Sequence, residues 1–404
     1  MRKVWKIKKL GEVCDFQGGS QPPKSNFIFE PREGYVRFLQ IRDFGSDKNI
    51  TYIPESKKNR HCIEDDILLG RYGASVGKVL VNKSGAYNVA VMKTIPNEEI
   101  LNKRYLYFYL KSFDFQSRLL KTASRSAQDG FSKDDIFDFP ILIPPLSEQQ
   151  VIVTILDDAF ESIERAKSNA ERNLKNAKEL FESYLQGVFE NKGENWISKK
   201  LIDLTTKIGS GSTPRGGNEN YKDVGISLIR SMNVYDLEFK KRKLAFIDDK
   251  QAFELKNVTL QEDDILLNIT GASIARCCLV PKDILPARVN QHVSIIRSIK
   301  DVVNPIFLCL LLTSKTYKDR LLFTGEQGAT RQAVTKNQLE QFEVQVPSSL
   351  SEQLDIVKMS DFFSIESKRL ESIYQQKLND LEELKKSILQ KAFNGELKTS
   401  KTSV

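Results

Sequence analysis

EDDILLGRYGASVGK at residues 64–78 and EDDILLNITGASIAR at residues 262–276 are two copies of one pattern in a single chain, 198 residues apart (262 − 64). In each copy an acidic triplet leads into an apolar Ile-Leu-Leu run, which ends at Gly-Ala-Ser. Such a segment reads as a strand entered through a polar turn and left through a tight one. Working outward, WKIKKLGEV from Trp5 resembles WISKKLIDL from Trp196, an offset of 191 (196 − 5). Farther on, LSEQQVIV from Leu146 matches LSEQLDIV from Leu350, an offset of 204 (350 − 146). The order is kept and the offset drifts slowly, as insertions in surface loops produce. The chain's two tryptophans open its two halves. With only two copies, this is a duplicated domain pair rather than a solenoid.

Each half divides by composition into a β-rich globule and a long helix. Asn102 and Asn304 are expected N-caps, with Pro305 at the first helical position, where its missing N–H costs nothing. The apolar stripes that follow, Tyr105, Phe108 and Tyr109 or Phe307, Leu310 and Leu311, read as core. After Ile141–Pro145 the chain changes character, entering a run with no proline and almost no glycine. Ser147 with Gln150 fits a capping box, while Ser351 with Leu354 lacks the reciprocal amide. Apolar residues then recur at near-heptad spacing: Leu156, Ile163, Ala170, Ala177 and Tyr184, with Phe160, Leu174, Phe181 and Val188 between them. In the second copy the seam is Ile356, Phe363, Leu370, Ile373, Leu381, Leu384 and Ile388. This predicts long helices packing as a coiled coil, each a rod of roughly 60 Å for ~40 residues. The expected fold is mixed α/β, of the α+β kind. A first globule covers 1–145, a first long helix 146–192, a second globule 193–349, and a second long helix with a C-terminal tail 350–404.

Charge follows the same division. The chain carries a formal +8, yet residues 146–192 sum to −3 and residues 350–395 to −1, leaving +12 (8 + 4) elsewhere. Globules facing phosphate and helices facing protein fit that segregation. No run approaches the ~20 apolar residues of a membrane span; Ile306 to Leu312 reads as a buried helix. The start MRKVWKIKKLGEV lacks the apolar region of a signal peptide, and five scattered cysteines without CxxC spacing fit a reducing cytosol. A soluble cytoplasmic protein is expected.

Catalytic motifs are scarce. With only His61 and His292 available, a histidine-based metal or triad site is disfavoured, and His61 beside Cys62 has no second ligand pair nearby. Gly73, Gly77 and Lys78 resemble a shortened phosphate loop, but Val79 stands where Ser or Thr is required, and GASIARCC lacks the Gly-Lys. A turn presenting Arg71, Tyr72 and Lys78 to DNA backbone is the preferred reading, with plain structure as the alternative. There is no Asn-Pro-Pro-aromatic motif and no G-x-G-x-x-G after a strand. Asp65–Asp66 and Asp263–Asp264 could suggest a magnesium nuclease, but their repetition inside a strand-entry motif favours a turn role.

The succession of globule, Pro-Pro or Pro-Ser-Ser, LSEQ and long helix, repeated once, resembles type I restriction–modification specificity subunits over essentially the whole chain. The markers are EDDILL followed by Gly-Ala-Ser, the IPPLSEQ and VPSSLSEQ helix entries, and the openings Gly18-Gly19-Ser20-Gln21-Pro22 and Gly209-Ser210-Gly211-Ser212-Thr213-Pro214. One departure is Pro347-Ser348-Ser349 in place of a proline pair. The resemblance implies two target-recognition domains, each reading half of a bipartite, asymmetric site in double-stranded DNA. It implies that the helices pack antiparallel as a spacer, giving an internal pseudo-twofold. It further implies two methylation subunits docking near the helices and endonuclease/translocase subunits joining them. S-adenosylmethionine, magnesium and ATP would belong to those partners, and this subunit would hold no cofactor and catalyse nothing.

Base reading needs exposed Arg, Lys, Asn, Gln, Ser or Thr. The candidates are Gln17, Ser20, Gln21, Lys24, Arg71, Tyr72, Lys78, Arg125 and Gln128 in the first half. In the second they are Ser212, Thr213, Arg215, Asn218, Asn268, Thr270, Arg276, Arg331 and Gln332. Each reads equally well as an exposed polar residue touching water or phosphate. The competing functional readings are a subunit of a methylation-only complex, a nuclease, or a coiled-coil scaffold.

Overall fold

The strand that opens each repeat pairs with the strand that closes its globule. Lys6–Lys9 runs antiparallel to Pro140–Ile143, with Lys6 opposite Ile143. Trp196–Lys200 runs antiparallel to Glu343–Pro347, with Trp196 opposite Pro347. The computed structural model describes residues 5–124, 130–213, 221–326 and 333–397. The chain forms two units: Met1–Glu171 with Gln376–Val404, and Arg172–Gln375.

In the first unit a four-stranded antiparallel sheet has the order Cys14–Gly18, Val91–Pro96, Leu68–Gly70, Val79–Leu80. A second sheet of four sets Tyr35–Leu39 between Tyr52–Pro54 and Gly85–Tyr87, with His61–Cys62 on the outer edge. The second unit repeats the first sheet as Thr205–Ser210, Val293–Ser298, Ile265–Asn268, Cys277–Leu279. Its other sheet sets Ile226–Ile229 between Ala245–Ile247 and Ala287–Val289. Both EDDILL segments are thus inner strands, flanked on each side, which is why their Ile-Leu-Leu runs are buried throughout.

The expected caps form. Asn102 Oδ1 accepts from Tyr105 N at 3.0 Å, and Asn304 Oδ1 accepts from Ile306 N and Phe307 N at 2.9 and 3.1 Å, with Pro305 opening its helix. The long helices are Leu146–Glu190 and Leu350–Phe393. The Ser147–Gln150 capping box does not form. Pro145 O already accepts from Glu148 N and Gln149 N, so the helix begins at Leu146 and Ser147 lies inside its first turn. Gln150 instead accepts from Asn102 Nδ2 at 3.2 Å.

Within each unit the two helices run antiparallel. In the first, Lys167 meets Glu382 and Lys385 meets Glu164, both at 2.7 Å. In the second, Tyr184 stacks on Phe363 at 4.5 Å between ring centroids, and Ser367 Oγ donates to Ala177 O at 2.6 Å. Leu156, Ile163, Ala170 and Ala177 are buried as the heptad reading requires, but Ile373 and Leu384 are each 47% exposed. The buried line on the second helix runs instead through Gln353, Ser360 and Ser367, a heptad of polar residues that a hydrophobic pattern misses.

Each globule closes on the far end of a long helix. Leu389, Ala392 and Phe393 enter the first core, where Phe393 packs on Tyr105 and Tyr109 at 5.1 and 5.7 Å. Leu185 and Phe189 enter the second core beside Trp196 and Phe307.

Candidate nucleic-acid interface

The carboxylates that open each inner strand are engaged in shaping it. Asp66 Oδ2 accepts from Ile63 N at 2.9 Å and pairs with Lys93 at 2.6 Å. Its counterpart Asp264 is fully buried, accepts from Gln261 N at 2.7 Å, and holds Arg297 through two bonds of 2.7 Å. Asp65 and Asp263 face Lys103 and Lys300. These pairs therefore hold strand entries, and among the described residues no group of three or more His, Cys, Asp or Glu is placed to hold a metal. Burial pushes the Cys62 thiol up to about 11, and the thiol donates weakly to Lys83 O, so the His61–Cys62 pair offers no thiolate.

At the strand exits the backbone turns through Gly73–Ser75 and Gly271–Ser273. In the first turn Ser75 N, Val76 N, Gly77 N and Lys78 N donate to Tyr72 O, Gly73 O, Gly70 O and Ser75 O. A phosphate loop needs such N–H groups free, so this turn is not one.

Three segments meet beside each turn. In the first unit Gly19 N donates to Val91 O, Ser20 N to Tyr87 O and Arg71 N to Ala90 O, at 3.1, 3.0 and 2.9 Å. In the second, Gly211 N donates to Asn290 O and Ile269 N to His292 O, at 3.2 and 3.0 Å. Glycine is required where these segments cross: a Cβ on Gly19 would lie 2.0 Å from Asn88 O, and one on Gly211 would lie 1.8 Å from Val289 O. The Gly-Ser opening, the Gly-Ala-Ser turn and the loop before the neighbouring strand therefore form one surface in each unit.

The candidates divide on this surface. Gln21, Lys24, Lys78 and Ser212 are exposed. Gln17 is half-buried and its Oε1 accepts from Tyr87 Oη at 3.1 Å. Ser20 bridges to Asn88 and its Oγ is buried without a partner. Arg71 is turned to structural use: Nε donates to Phe131 O at 3.1 Å, Nη1 to Val89 O at 3.4 Å, and the guanidinium lies over the Tyr72 ring. Tyr72 bridges to Gly130, as Thr270 bridges to Ala333. Thr213 donates to Gln291 Oε1, Thr270 Oγ1 lies 2.6 Å from His292 Nδ1, and Arg276 lies over Tyr235 at 4.7 Å. Asn268 is a correction. It is 0% exposed, and its amide donates to Ser231 O at 2.9 Å and Val234 O at 3.4 Å, because an inner strand end must satisfy buried carbonyls. Arg125, Gln128, Arg215, Asn218, Arg331 and Gln332 lie outside the described residues.

Sequence reading passed over Ser231, Met232, Tyr235 and His292, which with Thr270, the Gly271–Ser273 turn and Arg276 line a cleft of about 450 Å³. A signal for part of this was available. Asn-x-x-Val recurs at 88–91 and 290–293, and in both copies the Asn side chain shapes the loop, Asn88 Oδ1 accepting from Ala90 N at 3.2 Å and Asn290 Oδ1 from His292 N at 3.0 Å.

With this geometry in hand, comparison with known proteins is decisive. The type I restriction modification DNA specificity domain matches twice, over residues 2–172 and 193–382. The chain is 24% identical to the type I restriction enzyme EcoBI specificity subunit of Escherichia coli, covering 97% of this chain and 86% of that protein. It is also 24% identical to the MjaVIII specificity subunit of Methanocaldococcus jannaschii, covering 82% and 81%. Among solved structures, the HsdS subunit from Thermoanaerobacter tengcongensis superposes with a TM-score of 0.66 at 18% identity, covering 97% of each chain. A chain from a structure of the assembly and conformational transition of a type I R-M system reaches a TM-score of 0.71 at 18% identity, covering 97% and 98%. The duplicated fold is that of a DNA specificity subunit. This chain belongs to the type I restriction modification DNA specificity domain family.

Proposed function

We propose that this chain reads a bipartite, asymmetric DNA site, each globule contacting one half through the surface where its Gly-Ser opening, Gly-Ala-Ser turn and Asn-x-x-Val loop meet. The observation that carries this is a shared backbone weave bearing different side chains: Tyr72, Lys78 and Ala90 in one unit stand where Thr270, Arg276 and His292 stand in the other. One scaffold with two side-chain sets suits two unlike half-sites. Gln17, Gln21, Lys24, Tyr72, Lys78, Ser212, Thr213, Thr270 and Arg276 are the proposed contacts to base or phosphate, with Ser20 and Arg71 as support.

The long helices are assigned to spacing and assembly. In the second unit Leu354, Met359, Phe362, Ile365 and Ile373 are exposed on one side of the second helix. At 100° per residue they fall within a ~140° arc. Methylation subunits are the partners proposed for such a face, with endonuclease/translocase subunits joining the complex. The methyl donor, magnesium and ATP would be theirs, and a cytoplasmic location follows from that role. Among the described residues no helix is long and apolar enough to cross a membrane.

Mapping of genomic methylation with and without this gene tests the reading. Loss of methyl groups from one two-part motif, on both strands, is the expected result. An unchanged methylome in a cell expressing the partner methylation subunits would overturn it.

A further inference from the structure

The cleft in the second unit carries a side-chain relay whose polarity can be deduced. Thr213 Oγ1 donates to Gln291 Oε1, which leaves the Gln291 amide nitrogen as the donor facing His292 Nε2, at 3.2 Å. His292 Nε2 is then an acceptor, its proton lies on Nδ1, and Nδ1–H donates to Thr270 Oγ1 at 2.6 Å. Thr270 already accepts, so its own hydroxyl proton is the relay's free end.

One side of the cleft, formed by Met232 and the Tyr235 ring, is apolar. Met232 is 41% exposed, and the Tyr235 ring is braced by two cations, Lys240 at 4.0 Å and Arg276 at 4.7 Å. Among the described residues no acidic side chain lines this cleft, whereas the clefts around Lys103, Lys207 and Lys318 each include Asp or Glu. A surface with a fixed hydroxyl donor, a guanidinium and an exposed apolar side chain suits a base edge that combines an acceptor with a methyl group. In the major groove that edge is thymine, with O4 and the C5 methyl.

We propose that this cleft reads a thymine of the second half-site, Met232 meeting the methyl, Thr270 donating to O4, and His292 acting as the positioning residue that aims the Thr270 hydroxyl. The inference rests on the DNA-reading function proposed above and adds the base. It is particular to this unit. The first unit has Arg42, Tyr72 and Ala90 at the positions of Met232, Thr270 and His292, so it has neither the relay nor the apolar wall.

The test uses the full chain purified with its methylation subunits and duplexes carrying the motif found by methylation mapping. Each thymine is replaced singly by deoxyuridine, which removes only the methyl. One position in one half-site is expected to weaken wild-type binding about 4-fold, the worth of one buried methyl. Met232→Ala is expected to be indifferent at that position. His292→Phe should lower the ratio of motif to scrambled-duplex binding about 10-fold, and His292→Asn, which keeps an N–H near the Nδ1 position, should restore it. The salt dependence of scrambled-duplex binding should not move in any variant. If no thymine senses its methyl, or if Met232→Ala keeps the penalty, the inference fails while the DNA-reading function stands. A wild-type complex that does not prefer its motif over scrambled duplex overturns both.

Discussion

The indole Nε1 of Trp196 donates to Glu352 Oε1 at 2.9 Å, and in the other unit Trp5 Nε1 donates to Glu148 Oε2 at 2.8 Å. The two tryptophans, Trp5 just before the first strand of its globule and Trp196 at the start of its own, thus tie each globule's opening to the first turn of a long helix. The recurrent LSEQ is thereby explained in part: its Glu receives the indole, and a carboxylate in a helix's first turn also favours the helix dipole.

Trp196→Phe keeps an aromatic ring beside Phe189 and Phe307 but removes the donor. A hydrogen bond to a charged acceptor contributes about 1.5–3 kcal/mol, less at a partly exposed site. The expected outcome is a lower thermal midpoint for Trp196→Phe and for Glu352→Ala, with the double variant no worse than the poorer single one. Additive losses would show that the two side chains act separately.

The next residue of the motif is buried and fully used. Gln353 accepts from Asn304 N at 2.8 Å and donates to Pro347 O and Val302 O at 3.0 and 3.3 Å, and Gln149 makes the same set with Asn102 N, Pro144 O and Ile100 O, each at 2.8 Å. Gln353→Ala strands one N–H and two carbonyls in the interior, a loss of about 2–4 kcal/mol. Gln353→Glu keeps the acceptor but loses both donors and buries a charge, so it should unfold at lower urea than Gln353→Ala. The opposite order would mean that the acceptor role dominates.

Much of this architecture was legible because two copies could be compared. EDDILL, Gly-Ala-Ser, the Asn caps and LSEQ recur where local backbone chemistry repeats, and each proved to be a structural device. Less legible was anything that depends on what a side chain meets across the fold. Asn268 looks like an exposed amide in sequence and is a core residue because its strand has neighbours on both sides. Ile373 and Leu384 extend an apolar pattern yet face outward, while Ser360 and Ser367 occupy buried positions on hydrogen bonds that hydropathy does not report. Met232 and His292 escaped because their segments carry no repeated motif beyond Asn290.

The strand-entry carboxylates should differ in worth. Asp264 is wholly buried and bidentate to Arg297, so Arg297→Leu leaves an unpaired interior charge, a loss of about 3–5 kcal/mol. Asp66 is less completely buried, its side chain 10% exposed, and Lys93 reaches it through a single bond, so Lys93→Leu should cost clearly less. Hydrogen exchange would register the first as faster opening of Ile265–Asn268 and the second as a smaller effect on Leu68–Gly70. Equal effects would argue against burial as the deciding variable.

In the first unit the antiparallel helix register is marked by Glu164 with Lys385 and Glu382 with Lys167. The hydrogen bond from Lys385 holds the Glu164 carboxyl below its ordinary range, and the one from Lys167 does the same for Glu382. A carboxylate depressed in the folded state adds stability that is present above its unfolded value, near 4.3, and is lost as pH falls through the lower folded value. These groups are largely solvated, so Glu164 with Lys385 contributes only about 0.5 kcal/mol. The double variant Glu164→Gln, Glu382→Gln should therefore melt below the wild type at pH 7, and the gap should close as pH falls below 4. Exchanging charges, Glu164→Lys with Lys385→Glu, should recover most of what either single change loses. A gap that persists unchanged into acid would assign the loss to packing of the glutamate stems rather than to charge.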